Sequence, residues 1–146
     1  MFLYYWISYS CMKPAIPIRN YQGNHFKSWG ETQIAALLDR NGIEYFYEHP
    51  LAVIDDGRPR IWYPDFQLVQ YGLLIEYFGR NDDPDYAEGM RKKQAVYQAN
   101  GLDALLLTRE SLRGDWPACI LGQIEDILEK RLERFRASCG SIPVPK

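Results

Sequence analysis

The chain has 146 residues, of which 47% are hydrophobic and 25% charged, the size and composition of one globular domain with a real core. A formal charge of −2 excludes a protein that binds polyanions over its whole surface, so a nucleic-acid contact would be a local patch. Three cysteines (Cys11, Cys119, Cys139) without CxxC spacing, and only two histidines (His25, His49), argue against a disulfide framework and a zinc site and fit a reducing cytoplasm.

The opening "MFLYYWISYSCM" is apolar and aromatic. It is too short to span a bilayer and lacks the positive n-region and cleavage site of a signal peptide. It reads as an upstream extension, with Met12 as a second start, or as a packed edge strand. Residues 13–27 carry prolines, Gly23 and polar residues and read as the rest of an irregular arm. The expected organisation is an arm over 1–27, a domain over 28–137 and a tail over 138–146.

Ser28 with Glu31 three residues on has the form of a capping box. Ile34, Leu37 and Leu38 follow at helical spacing, and Gly42 suits the position past a helix end, so a helix is expected over 29–40. "IEYFYEHPL" (43–51) is aromatic and β-branched and reads as a strand. Asp55-Asp56-Gly57 signals a turn. "RIWYPDFQLV" (60–69) reads as a second strand, in which Pro64 marks an edge, bulge or bend. Tyr71-Gly72 turns the chain into "LLIEYF" (73–78), short and apolar like a central buried strand. Asp83-Pro84 opens a helix that Asn100-Gly101 closes. "LDALLLT" (102–108) is a fourth strand, and 116–137 an amphipathic helix with Ile120, Ile124, Ile127, Leu128 and Phe135 on its apolar stripe. The order α-β-β-β-α-β-α implies an α/β fold with a small mixed four-stranded sheet flanked by helices.

Glu76 stands out, because a carboxylate inside an apolar strand needs a partner. By alternation it shares a face with Phe78 while Tyr77 takes the other. Asp65, on the preceding strand near the same turn, can come close to it. Two adjacent carboxylates repel unless one is protonated or a cation lies between them, and oxygen ligands with open water positions suit Mg²⁺. The plainer alternative is that each acid is solvated at a strand end. Tyr86, Met90, Lys93 and Tyr97 fall on one helical face, which would carry Lys93 across the sheet while Arg91 and Lys92 point elsewhere. The alternative is that Lys93 snorkels to solvent. Glu31 is fully explained by its capping box, or else is an outer acid of the same site. Arg58, Arg60 and Arg80 flank the acids and would contact phosphates, or are simply solvated.

These residues carry a resemblance. "SWGE" at the first helix, "YPDF" at 63–66, "IEYFG" at 75–79 and the Y…M..K…Y helix face resemble the PD-(D/E)XK nuclease superfamily over about residues 28–112. The likeness is to its very-short-patch-repair-like branch and to helicase-associated nuclease domains. It implies a restriction-endonuclease-like core and Mg²⁺-dependent endonuclease activity on DNA, with Mn²⁺ able to substitute. It implies Asp65, Glu76 and the carbonyl of Tyr77 as metal ligands, and Glu31 as an accessory acid. No membrane association is expected, and a net acidic chain, which would hold a phosphate backbone weakly by itself, is expected to depend on a second copy or a helicase or repair partner. The lysine of the motif's E-x-K is Phe78 here, a departure that the resemblance resolves by moving the lysine to Lys93 on the next helix. If it has not moved, the chain is a nuclease-fold module that binds nucleic acid or a protein without cutting. A small enzyme using the same acids on another substrate is a third reading, for which there is no phosphate loop and no nucleophile motif.

Overall fold

Ser28 opens the first helix by accepting a hydrogen bond from the backbone N–H of Glu31 at 3.2 Å, which satisfies one of the donors a helix start leaves over. The computed structural model of the chain describes residues 26–79 and 84–139. Helix α1 spans Trp29–Arg40. It ends at Asn41 and Gly42, whose φ of +64° suits a glycine just past a helix end. Six strands follow, β1 (Tyr45–Tyr47), β2 (Leu51–Asp55), β3 (Arg58–Trp62), β4 (Phe66–Leu68), β5 (Leu73–Phe78) and β6 (Asp103–Thr108). Helix α2 (Pro84–Ala99) joins β5 to β6, and α3 (Trp116–Cys139) closes the order. The expected Asp83 cap and the arm before Phe26 lie outside the described residues.

Two expected strands are corrected. The stretch 43–51 breaks into β1 and the start of β2, and 60–69 divides between β3 and β4. The first break falls at Glu48, with φ +46°, followed by His49-Pro50, and the second at Tyr63-Pro64. Proline has no N–H for a ladder and restricts the residue before it, so each strand stops, and the chain passes from one sheet to another. The helix expected to end at 137 runs on to Cys139.

The main sheet has the order β1-β4-β5-β6, antiparallel except for the parallel pair β5–β6. It is a mixed four-stranded sheet. Strand β5 lies between two neighbours and is covered on both faces, so an uninterrupted apolar run fits it. Leu73 and Ile75 belong to a core with Ile34 and Leu38 of α1 and Ile120 and Ile124 of α3, with Tyr77 packed against it. Leu74 belongs to a second core with Tyr97 of α2 and Val53 of β2. The period of two therefore sends Leu74 and Glu76 toward α2 and Ile75 and Tyr77 toward α1.

Strands β2 and β3 form a separate two-stranded ribbon. Asp56 and Gly57 have φ values of +51° and +72°, the two positive angles of a type I′ hairpin turn. Val53 of the ribbon and its partly buried Leu51 and Trp62 pack with Leu74, Val96 and Tyr97. Asn100, just past α2, holds β2 by its side chain: its Oδ1 accepts from Ile54 N–H at 2.8 Å and its Nδ2 donates to Ile54 O at 2.9 Å. At the far end of the sheet Arg131 of α3 donates to Asp103 at 2.7 and 2.9 Å and to the carbonyl of Tyr71, which ties α3 to the start of β5 and β6.

Gly30 lets α1 approach β5. A Cβ added there would sit 2.1 Å from the Tyr77 ring, inside contact distance. Gly→Ala in a helix ordinarily stabilises by about 1 kcal/mol. Here Gly30→Ala is expected to destabilise by ~1–3 kcal/mol as an overpacked contact. In a cycle with Tyr77→Ala, urea melts should give a double variant less costly than the sum of the singles. Simple additivity would show that the two side chains do not meet.

Candidate active site

Glu76 is 1% exposed. Leaving a carboxylate buried without partners costs several kcal/mol, and two residues of α2 answer it. Lys93 Nζ lies 2.7 Å from Glu76 Oε2, and the Tyr97 hydroxyl donates to Oε1. Lys93 and Tyr97 are one helical turn apart, so a single face of α2 delivers both. Burial first, then the adjacent Glu76 charge, pushes the Tyr97 phenol well above its ordinary 10.0, so it remains a donor at any ordinary pH.

Another residue of that face, Tyr86, lies close by. It meets the Phe78 ring edge-on with centroids 5.4 Å apart. The Lys93 ammonium sits 5.6 Å from the centroid of Phe78, a cation–π distance. Phe78 thus forms a seat for the amine of Lys93. Lys93 points inward to Glu76 with 35% of its side chain exposed, whereas Lys92 Nζ approaches Asp55 at 3.5 Å.

The register of β4 on β5 locates Asp65. Phe66 pairs with Ile75 and Gln67 with Leu74, so Asp65, one residue beyond the last rung, falls opposite Glu76 on the same face. Asp65 Oδ2 accepts from the backbone N–H of Tyr77 at 2.7 Å. Burial drives its pKa up from 3.8 to about 7, against the pull of the Tyr77 N–H, while the charges of Glu76 and Glu31 push it further and Lys93 draws it back. The structure thus brings Asp65, Glu76 and Lys93 together, with Glu31 near enough for its charge to be felt.

Glu31 is 6% exposed. Its carboxylate accepts from Ser28 Oγ at 2.8 Å, from Lys27 N–H at 3.0 Å and from the Tyr47 hydroxyl. It is both part of the helix cap and a buried charge that helps to raise the pKa of Asp65. Tyr47 is itself held high, by burial and by this bond to Glu31.

Three partners went unread in the sequence. Tyr97 was visible as a member of the Lys93 face, though only as packing. Tyr47 gave no signal. Asp55 was read as part of a turn, yet it is 4% exposed, with Arg60 at 3.4 Å and Lys92 at 3.5 Å from Oδ2, and its Oδ1 is buried with no hydrogen-bond partner among the described residues. Arg58 is exposed on β3, and Arg80 lies outside the described residues.

The donor set is all oxygen and carries more negative charge than Lys93 offsets, and that excess contributes to the raised pKa of Asp65. These features suit a hard divalent cation. Among the described residues no group of three or more His, Cys, Asp or Glu side chains gathers as a metal site. A cation would rest on two side chains, backbone oxygen and water. No helix among the described residues is long and apolar enough to cross a membrane. No family model, no curated protein and no solved structure matches the chain.

Asp65 holds its proton to about pH 7 when folded and to 3.8 at its ordinary value. Between these limits the folded state binds more protons than the unfolded one, so this group's contribution to stability falls as pH rises across the window and is flat above it. Asp65→Asn keeps the shape without the charge. It is expected to raise the melting temperature most above pH ~7, with the gain fading toward pH ~4, as followed by circular dichroism in metal-free buffer. A gain independent of pH would contradict the assigned cause.

Proposed function

We propose that the chain is a divalent-metal-dependent nuclease that hydrolyses phosphodiester bonds in DNA, with a restriction-endonuclease-like core of the PD-(D/E)XK kind. The observation that carries this reading is the placement of Asp65 opposite Glu76 with the amine of Lys93 2.7 Å from Glu76. The order of α1, the mixed sheet and α2 supports it, as does the sequence resemblance.

Asp65, Glu76 and the backbone carbonyl of Tyr77 would hold a Mg²⁺ or Mn²⁺ ion. When bound, the ion supplies Lewis-acid polarisation of a phosphoryl oxygen and a water of lowered pKa. Tyr97 fixes the rotamer of Glu76 by its hydrogen bond, and the Tyr77 N–H does the same for Asp65. Lys93 places positive charge where the phosphoryl group gains negative charge, in a site walled by Phe78, Tyr86 and Tyr97. Glu31, locked by its three donors, keeps a fixed negative charge behind Asp65. Water adds to phosphorus as the bond to the leaving oxygen breaks. A chain of net charge −2 holds a phosphate backbone weakly and less so in salt, which fits dependence on a partner or a second copy.

The test is conversion of supercoiled plasmid to nicked or linear forms by purified protein with Mg²⁺ or Mn²⁺, halted by chelator. Glu76→Gln is expected to abolish it, and Lys93→Ala to slow it on the order of 10²- to 10³-fold. Calorimetry should find Mn²⁺ binding in the parent and none in Asp65→Asn. Plasmid left intact in both metals would sink the reading, and absent metal affinity with retained DNA binding would favour a non-cutting module.

A further inference from the structure

Helix α3 outruns the sheet it packs on. Ile120 and Ile124 are buried in the core, and Ile127 and Leu128 pack against it. Arg131 marks the end of the sheet, because it bonds Asp103 at the start of β6 and the carbonyl of Tyr71 just before β5. Every residue from 132 to 139 is exposed. Those two turns are not polar all round. Leu132 is 47% and Phe135 63% exposed. With Leu128 before them and Cys139 after, they step along the helix by four, three and four residues, the seam spacing of paired helices. The seam lies roughly 80° round the helix from Ile120, Ile124 and Ile127, so it is a second apolar stripe beside the one that enters the core.

Charge names the occupant. Arg131 and Arg134 are held by Asp103 of their own chain. Glu129 and Arg136 are exposed and flank the seam on its other side. When two such helices pack antiparallel, Leu132 of one copy meets Phe135 of the other, and Leu128 meets Cys139. Glu129 of each copy then faces Arg136 of the other, and one ion pair occurs twice about a two-fold axis. Parallel packing would set Arg136 against Arg131 instead. The stripe is complementary to itself in one direction only.

The helix is already formed as the continuation of a packed element, so pairing does not have to nucleate it. Four apolar side chains and two charged stems per copy make a small contact, in the class below ~1,200 Å² in total. The pairing is therefore reversible and depends on concentration.

We infer that the exposed end of α3 is a self-association surface, through which two copies of this chain pair antiparallel about Leu132 and Phe135. Glu76 stands near the opposite end of β5, so both acid sites stay uncovered. The inference is independent of the nuclease reading, because it needs neither metal nor DNA.

The experiment is analytical ultracentrifugation of the full chain over a concentration series, without metal or nucleic acid. The parent should pass from monomer to dimer. Leu132→Ser with Phe135→Ser, both exposed sites, should remain monomeric at an unchanged melting temperature. Glu129→Arg and Arg136→Glu should each weaken the dimer by on the order of tenfold, and the variant carrying both should pair like the parent, since the charges are exchanged rather than lost. A parent that stays monomeric at every concentration, or a serine variant that pairs like the parent, would overturn the inference. So would an Arg136→Glu variant that pairs more tightly, which marks parallel packing. A monomeric parent that binds anionic vesicles through Leu132 and Phe135 would assign the stripe to a lipid surface instead. Glu76-dependent cutting by a monomeric parent would remove the pairing and keep the nuclease, and a dimer that never cuts would do the reverse.

Discussion

The arrangement depends on the burial of Glu76. Its neighbours in β5 are held by the apolar cores on the two faces of the sheet, and the carboxylate is carried inward with them. Such a charge is tolerable only with donors at close range. That requirement fixes α2 against the sheet, because Lys93 and Tyr97 must arrive on the same face and at the same depth. Asp65 is then set by the register of β4 on β5. The acid pair, the amine and the phenol follow from one strand being too well packed to release its charge.

The ribbon extends this from the other side. Trp62 meets the Tyr97 ring edge-on with centroids 5.5 Å apart, so the phenol that holds Glu76 is itself buttressed by β3. Asp55 ties the ribbon to α2 through Lys92, although one of its oxygens is buried with no hydrogen-bond partner among the described residues. Unsatisfied buried acceptors are costly and uncommon. Replacing Asp55 by a neutral residue would relieve that cost but free two cations now held in place, so the acid is better understood as a holder of Arg60 and Lys92 than as a source of stability.

Much of the core was legible in the sequence because its signals are local. The capping pattern at Ser28 and Glu31 gave α1 its start, Asn100-Gly101 gave α2 its end, and the run at 73–78 gave the central strand. The period of two put Glu76 and Phe78 on one face, and the period of 3.6 put Lys93 and Tyr97 on another. The two long strands divide at His49-Pro50 and Tyr63-Pro64; the prolines mark an edge, bulge or bend, but nothing local to them says that the chain there changes sheets. The contacts that went unseen join elements far apart in the chain. Tyr47 reaches Glu31, Tyr97 reaches Glu76 and Lys92 reaches Asp55, each by a side-chain length that no spacing rule encodes.

The amide of Asn100 has a consequence for how the protein behaves in crowded solution. By bonding both backbone groups of Ile54 it occupies the outer edge of β2 as a further strand would. Ile54 turns those groups outward, so its partner Pro59 has its missing N–H on the outer edge of β3. One border of the ribbon is thus closed by a side chain and the other is blunted by an imino acid. Exposed strand borders are where foreign strands add and fibrous aggregates begin. A greasy two-stranded element can therefore stand at the surface of this chain without serving as a template for growth.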